Sequence, residues 1–272
     1  MTNELIKLDV QSGIATIYLN RPEKRNAFSD DMRTEYLAVL QEVASSKDVR
    51  AVVLTGNGKG FSAGGDVAGM EKRMQADPGE VGFNGWSRQQ RVHQCVSLLH
   101  SMPKPTIAAV NGAASGLGAD TAISCDFVLA SEAASFSWSY INRGLVPDGG
   151  GLYFLPRRVG LVKAKELIFS GRRVDAAEAV QLGIADRLVE PEALLQAAWR
   201  WAEDVSKGSA TALALGKSIL NQTFELSASQ VFSQGSQAQA VCYTTRDHRE
   251  SVQAFLKQRD ERRAAVATEG KA

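Results

Sequence analysis

Two glycine-rich turns and a few carboxylates are the parts of this chain equipped for chemistry. The first turn is Phe61-Ser62-Ala63-Gly64-Gly65-Asp66. The second runs from Asn111-Gly112 through Gly116-Leu117-Gly118, between an apolar run, Thr106–Val110, and a helical run, Ala119–Ser124. A strand that breaks at glycines and restarts as a helix turns backbone N–H groups outward. Such groups bind anions, or stabilise an oxygen that gains charge during a reaction. Glycine lets that oxygen come close because it has no Cβ. One oxygen held by two donors needs two turns, and the pairing is spatial, so their separation along the chain is free. The alternative reading is that the glycines serve only a tight turn and close helix packing.

Three further groups join the list. Asp148 lies in Pro147-Asp148-Gly149, within the loop Tyr140–Gly151. It is either a helix cap or a carboxylate base among Leu145, Val146 and Leu152, whose apolar surroundings would raise its pKa. His93 follows Val92 on the helical stretch Trp86–Met102 and is either a surface or packing residue or a functional one. The basic loop Arg21–Phe28 is either a phosphate contact or a solvated turn.

The bounds on the chain are set by its composition. It has 272 residues, a net charge of +1 and 44% hydrophobic residues, enough for a substantial core. Near-neutral charge argues against a nucleic-acid partner. No apolar run approaches the roughly 20 residues of a membrane span, and the first residues lack the form of a signal peptide. Cys95, Cys125 and Cys242 are scattered, show no metal spacing and fit a reducing, cytoplasmic setting.

The elements that must position these groups are read from periodicity and caps. Leu5–Val10 and Ile14–Leu19 predict a hairpin, and Ser29 caps a helix to about Ser46. Ala51–Thr55 predicts a buried strand, and Phe61 begins a further one. Glu71–Gly85, with Pro78 and three glycines, predicts an irregular surface segment. Phe127–Ala130 and Ser135–Trp138 predict short strands. Lys163–Ser170 predicts a helix, Asp175 caps another that ends at Gly183, and Ile184–Val189 predicts a strand. Beyond Pro191 the pattern is helical, over 191–205, 211–222, 226–243 and 248–264, with a frayed end over 265–272. The glycine-rich α/β part and the helical part suggest regions 1–195 and 196–272.

Taken together, these pieces resemble the crotonase, or enoyl-CoA hydratase/isomerase, superfamily. The residues that carry the resemblance are Asn20-Arg21-Pro22 with Asn26-Ala27, the 61–66 turn, Pro105 through Gly112, Cys125-Asp126, Gly144 through Gly150, 164–171, 176–188 and Ala254-Phe255-Leu256. The resemblance implies an α/β fold, a ββα spiral with a C-terminal helical trimerisation region, assembled as a homotrimer or dimer of trimers. It implies an acyl-CoA thioester substrate, coenzyme A being part of the substrate, with no tightly bound cofactor and no metal. The thioester oxygen would sit between the N–H groups of Gly65 and Leu117. Arg25, Ala27, Ala63, Gly64, Asp66, Gly116, Tyr140 and Phe255 would contact the CoA thioester. Hydratases of the family use two glutamates on one water; those places fall on Asp120 and Tyr140 here. Asp120 therefore either reaches the pocket or holds local backbone. Double-bond isomerases of the family use one carboxylate in the Asp148 place. An aromatic acyl-CoA dehalogenase has an aspartate nucleophile there, with a histidine base that falls on His93. The leading expectation is isomerisation through Asp148, ahead of hydration, dehalogenation and CoA binding without turnover.

Overall fold

The computed structural model describes residues 4–75 and 77–269. The chain divides into a first unit that ends at Ser206 and a second that begins at Lys207.

The first unit starts with the hairpin β1 (Ile6–Gln11) and β2 (Ile14–Leu19), then α1 (Asp30–Ser45) and β3 (Ala51–Gly56). Two helices follow, α2 (Val67–Met74) and α3 (Pro78–Ser101). The glycine-rich centre supplies β4 (Thr106–Val110), β5 (Ala113–Ser115) and α4 (Leu117–Ile123). Then come β6 (Phe127–Ser131), β7 (Ser135–Ser137), α5 (Gly151–Val159), α6 (Leu161–Ser170), β8 (Arg173–Asp175), α7 (Ala176–Leu182), β9 (Arg187–Val189) and α8 (Leu194–Val205).

One sheet has the order β1-β2-β3-β4-β6-β9, antiparallel only between β1 and β2. A smaller sheet joins β5, β7 and β8. The larger sheet is buried on both faces, which is why its central strands read as continuous apolar runs. Val52, Leu54, Ala108, Val110, Val128 and Ala130 join the main core. Their alternates Ala51, Val53, Ile107, Ala109 and Leu129 pack with Leu194, Ala198, Trp201 and Ala202 of α8. The period of two along each strand produces this division. Helix α8 thus belongs to the sheet of the first unit.

The caps expected for α1 and α7 are present. Ser29 accepts from the Met32 N–H and Asp175 from the Glu178 N–H. Other expectations are corrected. Of the segment expected to be irregular, 71–74 end α2 and 78–85 begin α3: Asp77 caps α3, Pro78 occupies its first turn, and the helix starts eight residues before Trp86. Residues 61–66 form no strand beyond single bridges, Ser62 to Ala114 and Phe28 to Gly65. Strand β9 is confined to 187–189; Ile184 and Ala185 turn into the core instead.

The second unit holds α9 (Ala210–Leu220), α10 (Ala228–Tyr243) and α11 (Arg246–Glu269). A capping box at Ser227 and Gln230 starts α10. Helix α11 continues to Glu269, past the predicted frayed start at Ala265; residues 270–272 lie outside the described residues. Phe232, Val241, Phe255 and Leu256 are exposed on these helices in the single chain. Among the described residues, no helix is long and apolar enough to cross a membrane.

Candidate active site

The two glycine turns meet backbone to backbone. Ser115 N–H donates to Ser62 O, and Ser62 N–H to Ala113 O, at 2.9 and 3.0 Å. Phe28 N–H donates to Gly64 O at 2.7 Å. Gly64 adopts φ +89°, and a Cβ placed on it would lie 2.5 Å from Ser115 O and 3.2 Å from the Leu117 nitrogen. Only glycine fits this contact. A Cβ on Gly118 would collide with the Ser62 carbonyl. The bonds that hold both turns bypass the N–H groups of Gly65 and Leu117. Leu117 is the first residue of α4, where a helix has no internal acceptor for its N–H.

The loop before α1 is fixed from below. Arg25 and Asn26 adopt left-handed φ values of +51° and +55°. Asn26 is fully buried; its amide nitrogen donates to Asn57 O and Gly60 O, and its oxygen accepts from Arg21 N–H. Arg21 Nη1 donates to Ala27 O and pairs with Asp66 Oδ2 at 2.6 Å. That bond holds the Asp66 carboxyl below its usual pKa. Asp66 therefore ties the loop to the first turn. Ala63 N–H bonds Arg25 O, which joins the same two segments, and Arg25 and Ala63 are exposed beside each other. Ala27 is buried.

Asp120 bonds side chains rather than local backbone. It is fully buried on α4, and both oxygens are taken. Oδ1 accepts from Trp138 Nε1 at 2.9 Å and Oδ2 from the Tyr140 hydroxyl at 2.7 Å, with a further bond from Gly151 N–H. Burial pushes its pKa up to about 7 against the pull of these donors. Tyr140 is pushed well above its usual range by burial and by Asp120. The glycines Gly149 and Gly151 make the arrangement possible. A Cβ on Gly149 would lie 2.5 Å from Leu117 Cδ1 and 2.8 Å from Asp120 Oδ2, and one on Gly151 would collide with Asp120 Oδ1. Across the turn, a Cβ on Gly116 would sit 3.7 Å from the Tyr140 ring.

Asp148 is half-buried at the edge of this group, two residues before Gly150, which caps α5. It is not itself the cap. Burial raises its pKa, opposed by its own N–H and by the charges of His93, Arg88 and Arg33. Among the described residues, no other side chain hydrogen-bonds its carboxylate. The apolar surroundings expected from Leu145, Val146 and Leu152 are corrected: those side chains are exposed. Pro147 and Gly149, which flank Asp148 directly, are the buried ones. His93 is exposed, and its Nε2 lies 3.1 Å from the Asp148 carbonyl, so it braces the loop's main chain. Phe255 lies on α11 of the second unit.

The sequence reading missed Trp138, the indole donor to Asp120, and Arg33, whose Nη2 lies 4.0 Å from where a Cβ on Gly65 would stand. Arg33 falls one place beside Met32 on the buried face of α1, a cation where the helical period calls for an apolar group.

A family model for enoyl-CoA hydratase/isomerase matches residues 9–263. The chain belongs to the enoyl-CoA hydratase/isomerase family. Its similarity to members of that family covers more than nine-tenths of the chain. It is 35% identical to a putative enoyl-CoA hydratase/isomerase of Bacillus subtilis, covering 94% of this chain and 98% of the relative. It is 33% identical to the 1,2-epoxyphenylacetyl-CoA isomerase of Escherichia coli, over 94% and 97% of the two chains. An enoyl-CoA hydratase/isomerase structure from Cupriavidus metallidurans superposes with a TM-score of 0.87 at 34% identity, covering 95% of each chain. The crotonase fold expected from the sequence is the one observed.

Proposed function

We propose that this enzyme moves a double bond within an enoyl-CoA by proton transfer through Asp148. The observation that carries the reading is the contrast between the two aspartates. The oxygens of Asp120 are occupied by Trp138, Tyr140 and Gly151, whereas the Asp148 carboxylate is partly exposed and made more basic by burial. The thioester oxygen is placed between the Gly65 and Leu117 N–H groups, with the nucleotide part of CoA along Arg25, Ala27 and Ala63. Asp148 removes a proton from one carbon of the acyl group. The electron pair moves toward the thioester, and the charge rests on the oxygen held by the two donors. The same carboxyl then returns its proton to another carbon. Nothing is added or lost, so one base is sufficient.

Support for hydration comes from relatives, among them a short-chain-enoyl-CoA hydratase of Clostridium acetobutylicum, 33% identical over 93% of this chain. Water addition in the family uses two carboxylates, and here one place is Tyr140 and the other is bonded to it. The assembly we assign is a homotrimer or dimer of trimers built through the second unit, in the cytoplasm.

The test is a panel of 3-enoyl-, 2-enoyl- and halogenated aromatic CoA thioesters followed by mass analysis. Isomerisation leaves mass unchanged, hydration adds water, and dehalogenation exchanges halogen for hydroxyl. Activity that survives Asp148→Asn but is lost in Asp120→Asn would overturn the proposal.

A further inference from the structure

The loop that carries Asp148 is bounded by Gly144 at φ +64° and Gly150 at φ +115°. Leu145 and Val146 are exposed, and Pro147 and Gly149 are the buried residues beside Asp148. The backbone bonds of the loop are local. Leu145 N–H donates to Tyr140 O, Asp148 N–H to Val146 O and Leu152 N–H to Pro147 O, all within residues 140–152. The Asp148 carbonyl is held from elsewhere, by His93 Nε2 of α3 at 3.1 Å. Among the described residues, that is the one hydrogen bond of Asp148 that leaves its own loop.

His93 projects from a fixed part of its helix, since its neighbours Val92, Cys95 and Val96 are buried in the main core. A carbonyl oxygen only accepts, so Nε2 carries the proton in this bond. Nδ1 has no partner among the described residues, and the residue is exposed. A proton gained at Nδ1 therefore leaves the bond in place and turns the ring into a cation. Three cations act on the Asp148 carboxylate: His93 most, then Arg88 of α3 and Arg33 of α1. Asp120 of α4 and the Tyr140 hydroxyl are the acidic groups coupled to it.

We infer that His93 is a positioning residue for Asp148: it holds the Asp148 carbonyl from Nε2 and, when protonated, adds positive charge beside the carboxylate. A base that takes a proton from one carbon and returns it to another has to stay close to both. A misplacement of about 1 Å can cost about 10²-fold in rate. The bond ties the base to a rigid helix rather than to its loop alone. The ring itself transfers no proton to or from the substrate. This inference rests on the reading of Asp148 as the base.

Three variants test it, each first checked for an intact fold by circular dichroism. His93→Leu removes both donor and charge. Its turnover of a 3-enoyl-CoA is expected to fall by about tenfold or more, with thioester binding in calorimetry little changed. His93→Gln keeps a donor at the place of Nε2 but carries no charge. It is expected to recover most of the rate lost in His93→Leu, with the acid limb of kcat/KM at higher pH than in the wild type. A second readout needs no thioester. The isotope-labelled carboxyl signal of Asp148 in nuclear magnetic resonance, identified by its loss in Asp148→Asn, should titrate at higher pH in His93→Gln than in the wild type. Wild-type turnover in His93→Leu overturns the inference, and so does a titration that His93→Gln leaves unmoved. A His93→Gln protein as slow as His93→Leu overturns it too, because the ring would then be a reacting group. If Asp148→Asn keeps the wild-type rate, the reading of Asp148 falls. If Asp148→Asn loses it and His93→Leu does not, that reading stands and the positioning role alone falls.

Discussion

The Tyr140 hydroxyl donates to Asp120 Oδ2 at 2.7 Å, so the two residues that the resemblance sets in the places of a hydratase's glutamates are bonded to each other. A carboxylate engaged in this way, with Trp138 on its other oxygen, has its lone pairs committed to the protein. In the proposed reaction it organises the wall of the site and leaves proton transfer to Asp148.

The first prediction concerns Asp148 itself. Asp148→Asn keeps the shape and removes the base. Turnover is expected to fall by about 10²-fold or more, the scale of general acid–base catalysis, with thioester binding little changed. Steady-state kinetics paired with calorimetry separates the two. Solvent deuterium should enter the wild-type product.

The pH profile follows from the direction of the Asp148 shift. The base must be ionised, and burial raises its pKa. The acid limb of kcat/KM is therefore expected above the ordinary aspartate range of about 4. Residual activity in Asp148→Asn should lack that limb. A wild-type profile that stays flat down to the ordinary range would count against Asp148 as the base.

Asp120 carries a separate signature in stability. Its folded pKa of about 7 exceeds the unfolded value of 3.8. Folding thus favours the protonated form, and this contribution is full below the unfolded pKa and is lost as pH rises through about 7. The slope is at most about 1.4 kcal/mol per pH unit. Asp120→Asn cannot ionise. The melting-temperature difference between wild type and variant should therefore shift in the variant's favour from pH 5 to pH 8.

A pair of glycine substitutions tests the packing under the site. Gly149→Ala would press on Leu117 and Asp120. It should destabilise the protein by about 1–3 kcal/mol and lower turnover. Gly82 lies inside α3 with nothing within 4 Å of a Cβ. Gly82→Ala should stabilise by about 0.5–1 kcal/mol. Thermal melts of both variants decide the matter.

Removing a donor from the first turn tests the oxyanion assignment. Gly65→Pro deletes one N–H. If circular dichroism shows an intact fold, turnover should fall by about 10²–10³-fold. Wild-type turnover in a folded Gly65→Pro protein would sink that assignment.

Local signals in the sequence carried most of the fold. Ser29 and Asp175 announce helix starts through short-range capping, and the apolar runs of β3 and β4 announce strands buried on both faces. The α3 start was also written locally, in Asp77-Pro78, but Gly79, Gly82 and Gly85 read as a loop because glycine disfavours helices; the helix runs through them from the Asp77 cap. The site was legible where backbone does the work, at the paired turns. It was not legible where side chains meet over distance. Nothing near Asp120 names Trp138 as its donor.

The abutment of Gly64 on Ser115 has a consequence for how such an enzyme changes over time. The two N–H groups that would receive the oxygen belong to the main chain, and every residue has one except proline. Ordinary point mutation can alter Asp148 or Tyr140 in one step while leaving those donors where they are. Inheritance can therefore exchange the side chains around these donors, whereas the donors move only when a glycine beneath them, such as Gly64 or Gly118, is lost.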